Sequence, residues 1–371
     1  MSRIIPAAVA SLPLGVIAAV VGLSLFGTAV LYSAADASMR PWALPHLIQC
    51  GLFLVLALVI RTFRLETIKA FVIPAYVACL LLLILVEVIG QVGGGAQRWI
   101  SIGPLTLQPS ELVKLAIILV LAKFYETLPP SFGATWSAIW PALIIVGFPA
   151  VLVLIQPDLD AAVILVVAGA AVMFLAGLPI RIFAAAAAVA AVLAPLAYLF
   201  ILEDYQRSRF TSFLNPEADP LGAGYHAIQA KIAIGSAGVF GKGFLNGTQG
   251  HLEYLPEHHT DLVFATLVEE WGLVGGAALI LVYLWLLRWG YRLTVSSPSR
   301  FGKLAAGGLT ITFFFYVAMN IATATAVTPM MGIPLPLISH GGSAKMTIML
   351  LIGLLMAIER DAKLRKPAST L

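Results

Sequence analysis

The sequence predicts an all-α integral membrane protein, a bundle of about ten transmembrane helices. Three observations lead there. The 371 residues are 60% hydrophobic and 11% charged, with a mean hydropathy of +0.98, which is not the profile of a soluble chain. The apolar residues gather into stretches able to cross a hydrocarbon core of about 30 Å, which takes roughly 20 residues as a helix. Within those stretches apolar and polar residues do not alternate, so a β-barrel is excluded and the backbone must bond within its own helix.

In order, the stretches are about 13–33, 43–61, 71–90, 110–126, 137–156, 159–177, 179–201, 262–289, 304–327 and 342–358. Ala35 and Ala37 after the first could mimic a leader cleavage site. Its apolar run is too long for that and only Arg3 precedes it, so an uncleaved anchor is expected. The fourth stretch is short, and Pro157 and Pro179 mark tight hairpins around the sixth. With no soluble domain appended, residues 1–371 read as a single polytopic membrane domain.

Basic residues set the orientation. Arg61, Arg64, Lys69, Lys123, Arg181, Arg288, Arg292, Arg300, Lys303, Arg360 and Lys363 fall on one side, with both termini. Many of the remaining cations belong to one long loop, which weighs little in this rule. The N- and C-termini are therefore expected to be cytoplasmic, and residues of about 202–261 to form one large extracytoplasmic loop.

Three irregular segments open on that outer side. Residues 90–114 begin with a glycine run that forbids a continuous helix, and Pro109 suits the first turn of the next one. The loop at 202–261 contains a weakly amphipathic stretch suited to a membrane surface. Residues 328–345 carry Pro329, Pro334, Pro336 and the pair Gly341–Gly342. Irregular backbone at that depth is tolerated only when buried in protein or lining a wet cavity.

The net charge of +4 is small and scattered, which argues against nucleic acid. Cys50 and Cys79 lie inside apolar runs and imply neither a disulfide framework nor a metal site. Charge is costly in such a chain, so the cluster His251–Asp261, HLEYLPEHHTD, at the mouth of the eighth helix marks a site. Asp261 could cap that helix through its carboxylate or act as a general base for a hydroxyl substrate. Glu269 shares its helix face and lies about 12 Å deeper, with Glu270 adjacent; either chemistry or pairing to a neighbouring helix is open.

Glu111 and Lys114 are spaced for an ion pair that could present Lys114 to an anionic headgroup. Arg98, Arg207 and Arg209 suit phosphate contact, or simple headgroup anchoring beside Trp99. Asp158 and Asp160, in QPDLD, could be turn residues. His251, His258 and His259 lack helical metal-ligand spacing and read as scaffold, and the glycines of 235–250 fail the phosphate-loop pattern. These residues describe an outward-facing charged cavity for a phosphate-bearing amphiphile. Enzyme and transporter both remain open.

The segments QRWISIGPLTLQPSELVKLA, QPDL, FLNPEADPLGAGYH, QAKIAIGSAGVFGKGFLNGTQGHLEYLPEHHTDLVFA and GIPLPLISHGGSA make the chain resemble the SEDS (shape, elongation, division and sporulation) family. The long loop looks closer to its rod-shape, RodA-like branch than to the division branch. The resemblance implies a ten-helix SEDS fold in the bacterial cytoplasmic (inner) membrane, facing the periplasm. It implies a glycosyltransferase that polymerises lipid II, working with a class B penicillin-binding protein and other elongation-complex membrane proteins. The family's essential aspartate falls on Asp261, as general base. Its other motif residues fall on Arg98, Gln108, Glu111, Lys114 and Asp158. Arg207, Arg209, Lys231, His259 and Ser339 complete the candidate substrate-binding set. A divalent cation, Mg2+ or Mn2+, could assist the leaving pyrophosphate. Alternatives are a lipid II flippase and a non-catalytic scaffold. The chain departs from the family at His340, where tyrosine is usual, at Asp160–Ala161, where Gly-Thr is usual, and at Leu262–Ala265, where FIFA is usual. The roles of His340 and Asp160 stay open.

Overall fold

A computed structural model of the chain describes residues 12–93, 96–102, 105–129, 135–200, 202–216, 222–252, 254–255, 257 and 259–365. His258, Glu253 and Arg3 lie outside the described residues. The helices are α1 (Leu14–Ala34), α2 (Ala43–Thr62), α3 (Leu65–Ile89), α4 (Pro109–Thr127), α5 (Trp136–Ile155), α6 (Leu159–Leu175), α7 (Ile180–Phe200), α8 (Asp204–Leu214), α9 (Ala223–Ser236), α10 (Thr248–His251), α11 (Val263–Ser296), α12 (Arg300–Ala324) and α13 (Gly342–Leu364). The long ones follow the apolar stretches. Eight are long and apolar enough to cross a membrane; α4 carries four charged side chains and α6 has 17 residues.

Helix starts follow local chemistry. Pro109 occupies the first turn of α4, where its missing N–H is no loss. Asp158 caps α6 by accepting from the Ala161 N–H at 3.2 Å, and Ser299 caps α12 by accepting from Gly302 at 3.0 Å. The glycine-rich connection after α3 forms a small antiparallel sheet, β1 (Gln91–Gly93), β2 (Ala96–Ile102) and β3 (Leu105–Leu107), in that order. Ile100 pairs with Leu107, so β2 lays Arg98 beside the start of α4. The described part of the long loop contains the helices α8, α9 and α10. Its α8 opens with a capping box between Glu203 and Gln206.

The core lies among α4, α6, α12 and α13, where Ile117, Ile118, Leu121, Leu165, Leu309, Ile348 and Ile352 are buried. Lipid offers no hydrophobic drive between helices, so close packing must hold them. Gly353 provides it: a Cβ there would stand 2.9 Å from the Ala57 Cα of α2. At the opposite extreme, no residue of α7 is buried.

The eighth apolar stretch is not one continuous helix as expected. Gly272 breaks α11 with φ 67°, a conformation that favours glycine. Residues 238–243 lie against the break and satisfy its freed backbone groups. Leu273 and Val274 N–H donate to the carbonyls of Gly238 and Val239, both at 3.1 Å, and Lys242 and Gly243 N–H donate to Glu269 and Glu270 at 2.9 and 3.0 Å. Glu269 fastens the same segment with its side chain, accepting from Lys242 Nζ at 2.6 Å and from the Thr248 and Gln249 N–H groups at 2.9 and 3.0 Å. Glu270 accepts from Ser33 Oγ of α1. Both intramembrane carboxylates are thus paired, and neither lines the cavity described next.

Candidate active site

The starts of α4, α6, α11 and α13 and the end of α12 meet at one end of the bundle. There they enclose a cavity of about 610 Å3. Arg98, Glu111, Lys114, Asp158, Arg209 and Asp261 all line it, although they come from five separate segments. The opposite ends of α3, α4 and α13 are tied together by pairs such as Lys69–Glu126 at 2.8 Å and Arg365–Glu66 at 2.7 Å.

The inner wall is a closed network. Lys114 Nζ donates to Glu111 Oε1 at 2.6 Å and to Tyr316 Oη at 2.9 Å, and Tyr316 in turn donates to Glu111 Oε2. Lys114 is 1% exposed and Glu111 6%, so each charge is tolerable only because the other is there. One turn out, Gln108 Nε2 donates to Asp158 Oδ2 at 2.8 Å. Arg98 lies 3.7 Å from Asp158 Oδ1 and also donates to the carbonyls of Gln156 (3.1 Å) and Pro157. Burial raises the proton affinity of Asp158, and Arg98 and Lys114 oppose that rise.

The rim differs. Leu262, not Asp261, is the N-cap of α11, and no side chain caps that helix end. The capping role open to Asp261 is therefore not used. Its backbone carbonyl is held by Asn320 Nδ2 at 2.9 Å, while among the described residues no hydrogen bond reaches its carboxylate. Burial, then the neighbouring Glu257 and Asp160, push Asp261 up to about 7, against a smaller pull from Arg209. A carboxylate with that proton affinity exchanges protons near neutrality, as a general base must.

The remaining candidates lie around this cavity rather than in its lining. Arg207 turns away, donating to the Leu199 carbonyl at 3.1 Å and facing Asp204 at 3.6 Å. Lys231 is exposed on α9. His259 stacks on Trp42 with centroids 4.1 Å apart, and its carbonyl accepts from the His340 N–H at 2.9 Å. Ser339 Oγ donates to the Thr260 carbonyl at 2.6 Å and accepts from the Leu335 N–H at 2.8 Å. His259 and Ser339 thus hold the strand of backbone that carries Asp261. Residues that sequence reasoning did not place at the site are Tyr316, His226 and Gly332. Only their tertiary neighbours mark them. No group of three or more His, Cys, Asp or Glu among the described residues is disposed to hold a metal ion. Asp160, beside Asp261, is itself bound to Arg209 at 2.8 Å.

The chain as a whole is similar to known proteins. A family model described as a cell cycle protein family, FtsW/RodA/SpoVE, matches residues 9–364. The chain belongs to that family. It is 43% identical over 291 residues to a protein of Escherichia coli K12 named peptidoglycan glycosyltransferase MrdB, covering 78% of each chain. The Helicobacter pylori protein of the same name is 39% identical over 284 residues, covering 76% of this chain and 73% of its own. Among solved structures, a chain from a peptidoglycan synthase complex, described as coordinating polymerization and crosslinking, superposes with TM-score 0.81. That match has 33% identity and covers 94% of this chain and 97% of the other. The Thermus thermophilus rod shape determining protein RodA superposes with TM-score 0.71, 28% identity and coverage of 94% and 96%.

Proposed function

We propose that this chain is a peptidoglycan glycosyltransferase of the rod-shape type, polymerising lipid II at the outer face of the bacterial cytoplasmic membrane. It works as one polytopic unit with both termini in the cytoplasm. The observation that carries the reading is Asp261, a carboxylate at the cavity rim without a hydrogen-bond partner among the described residues and with its proton affinity raised to about 7. The relatives named peptidoglycan glycosyltransferase supply the substrate class.

In this reading the acceptor sugar's 4-hydroxyl attacks the anomeric carbon of the donor. Its proton passes to Asp261. The bond to undecaprenyl pyrophosphate breaks, and the departing anion gathers charge near Arg98 and Arg209, the arginines of the lining. Lys114 adds field from the inner wall, although Glu111 offsets much of it. The polyprenyl tail stays in lipid. Cross-linking falls to a class B penicillin-binding protein, a partner supported by the likeness to a chain from a synthase complex.

Transport of lipid II is the competing reading, and the cavity floor argues against it. Beneath Lys114, the α4 residues Ile117, Ile118 and Leu121 are fully buried and apolar, which offers no polar path onward. The test is direct. Labelled lipid II is given to the purified protein, alone and with its transpeptidase partner, and the products are sized on a gel. Wild type should lengthen the glycan and Asp261→Asn should not. Lengthening by Asp261→Asn would overturn the mechanism, and reorientation of lipid II in vesicles without lengthening would favour transport.

A further inference from the structure

Asp160 lies in the first turn of α6, and the fold gives it three neighbours at once. Its Oδ2 accepts from Arg209 Nη1 of α8 at 2.8 Å and from the Gly332 N–H at 3.0 Å. The same oxygen lies 3.7 Å from the point where a Gly332 side chain would begin, and Asp261 Oδ2 lies 3.6 Å from that point. The two carboxylates therefore flank one glycine. We infer that Asp160 is a positioning residue for Asp261: it fastens Arg209 to the backbone at Gly332 across the cavity mouth and sets a second negative charge beside the base. This rests on the reading of Asp261 as the base.

The consequences can be followed group by group. The groups facing Asp261 are Glu257 from its own loop, Asp160 from α6 and Arg209 from α8, while Lys114, His226 and His340 line the cavity further round. Glu257 and Asp160 oppose ionisation of Asp261, and Arg209 favours it. Asp160 also occupies Arg209, so part of that cation's pull is spent on Asp160 instead. Asparagine at position 160 keeps an acceptor for the Gly332 N–H and removes only the charge. Both results, loss of the repulsion and release of Arg209, favour ionised Asp261.

The experiment compares wild type, Asp160→Asn and Asp160→Glu as full-length protein. The initial rate of lipid II lengthening is followed against pH, and so is the melting temperature of the detergent-solubilised protein. In Asp160→Asn the acid limb of the rate profile should move toward acid by about one pH unit. At neutral pH its KM should rise roughly tenfold, through a misplaced Arg209. Asp160→Glu should restore part of both. The melting curves carry a signature independent of turnover. A carboxyl held above its ordinary value binds its proton more tightly when folded, so wild type should lose stability as pH rises from about 4 to about 7. That window should narrow in Asp160→Asn. An unmoved acid limb together with an unchanged melting window would overturn the role of Asp160. Wild type that fails to lengthen lipid II would instead sink the functional reading, and the melting window would still decide the placement of Asp160.

Discussion

The inner wall and the rim of the cavity are built from the same kinds of side chain and differ in whether every carboxylate finds a hydrogen-bond partner among the described residues. On the inner wall Lys114, Glu111 and Tyr316 close a triangle, and Arg98, Gln108 and Asp158 form a second paired group. At the rim, Asp261 is held firmly by its backbone, while among the described residues its carboxylate meets only Coulomb forces from Glu257, Asp160 and Arg209. A carboxylate in a poorly hydrated place must be paired, neutralised by a proton, or used. The inner carboxylates take the first course. Asp261 sits between the second and the third, which is where a group that must accept a proton in turnover belongs.

The largest expected effect tests the rim. Asp261→Asn should reduce lipid II lengthening by roughly a thousandfold, within the range for loss of a general base. Its melting temperature at neutral pH should match or exceed that of wild type, because the variant no longer confines a charge. A pH–rate profile of wild type should rise through about 7, as Asp261 ionises. A profile flat across that range would remove the distinction between the two walls.

The inner wall should fail differently. Glu111→Gln leaves the Lys114 ammonium buried with only neutral acceptors beside it, and loss of one charged partner of such a pair costs about 3–5 kcal/mol. Expression and melting temperature should fall before any kinetic effect can be assigned. The double variant Glu111→Gln/Lys114→Met should recover part of that loss, since no uncompensated charge remains. Additive losses in the double variant would mean the two residues do not act as a pair.

Much of this division was legible in the sequence, and the exceptions have physical causes. The spans announced themselves by hydropathy, α4 included, although its four charges place it outside the most apolar class. The break at Gly272 did not, because one glycine in an apolar run looks the same whether or not another segment pairs with it. Here residues 238–243 do, and only the tertiary contact reveals it. Asp261, Glu111, Lys114, Asp158 and Arg98 were found through motifs. Arg207 and Arg209 both entered the candidate set, but two residues apart on a helix they point about 200° apart, so one facing the cavity turns the other away. The phase of α8 decides for Arg209. Tyr316 carried no signal, since a tyrosine in an aromatic-rich helix reads as packing until its hydroxyl is seen against Glu111.

Below these in size comes the pairing of Glu269, which lies beyond both walls. Glu269→Gln keeps an acceptor for the Thr248 and Gln249 N–H groups and loses the charge facing Lys242. It should cost about 1–3 kcal/mol. The loss should appear as faster hydrogen exchange in residues 238–249, with lipid II lengthening affected only through stability.

The smallest effect concerns His259, which the sequence placed among substrate-binding residues and which the fold stacks on Trp42. If the ring serves as packing, phenylalanine should replace it, because a flat aromatic face is what Trp42 meets and the carbonyl that receives the His340 N–H is backbone. His259→Phe should therefore keep lengthening within about threefold of wild type, whereas His259→Ala should lose about 1 kcal/mol of stability with the stack. A His259→Phe protein that folds with the wild-type melting temperature and yet loses lengthening as fully as Asp261→Asn would move His259 from the scaffold to the chemistry. The rim would then hold two proton-handling groups rather than one.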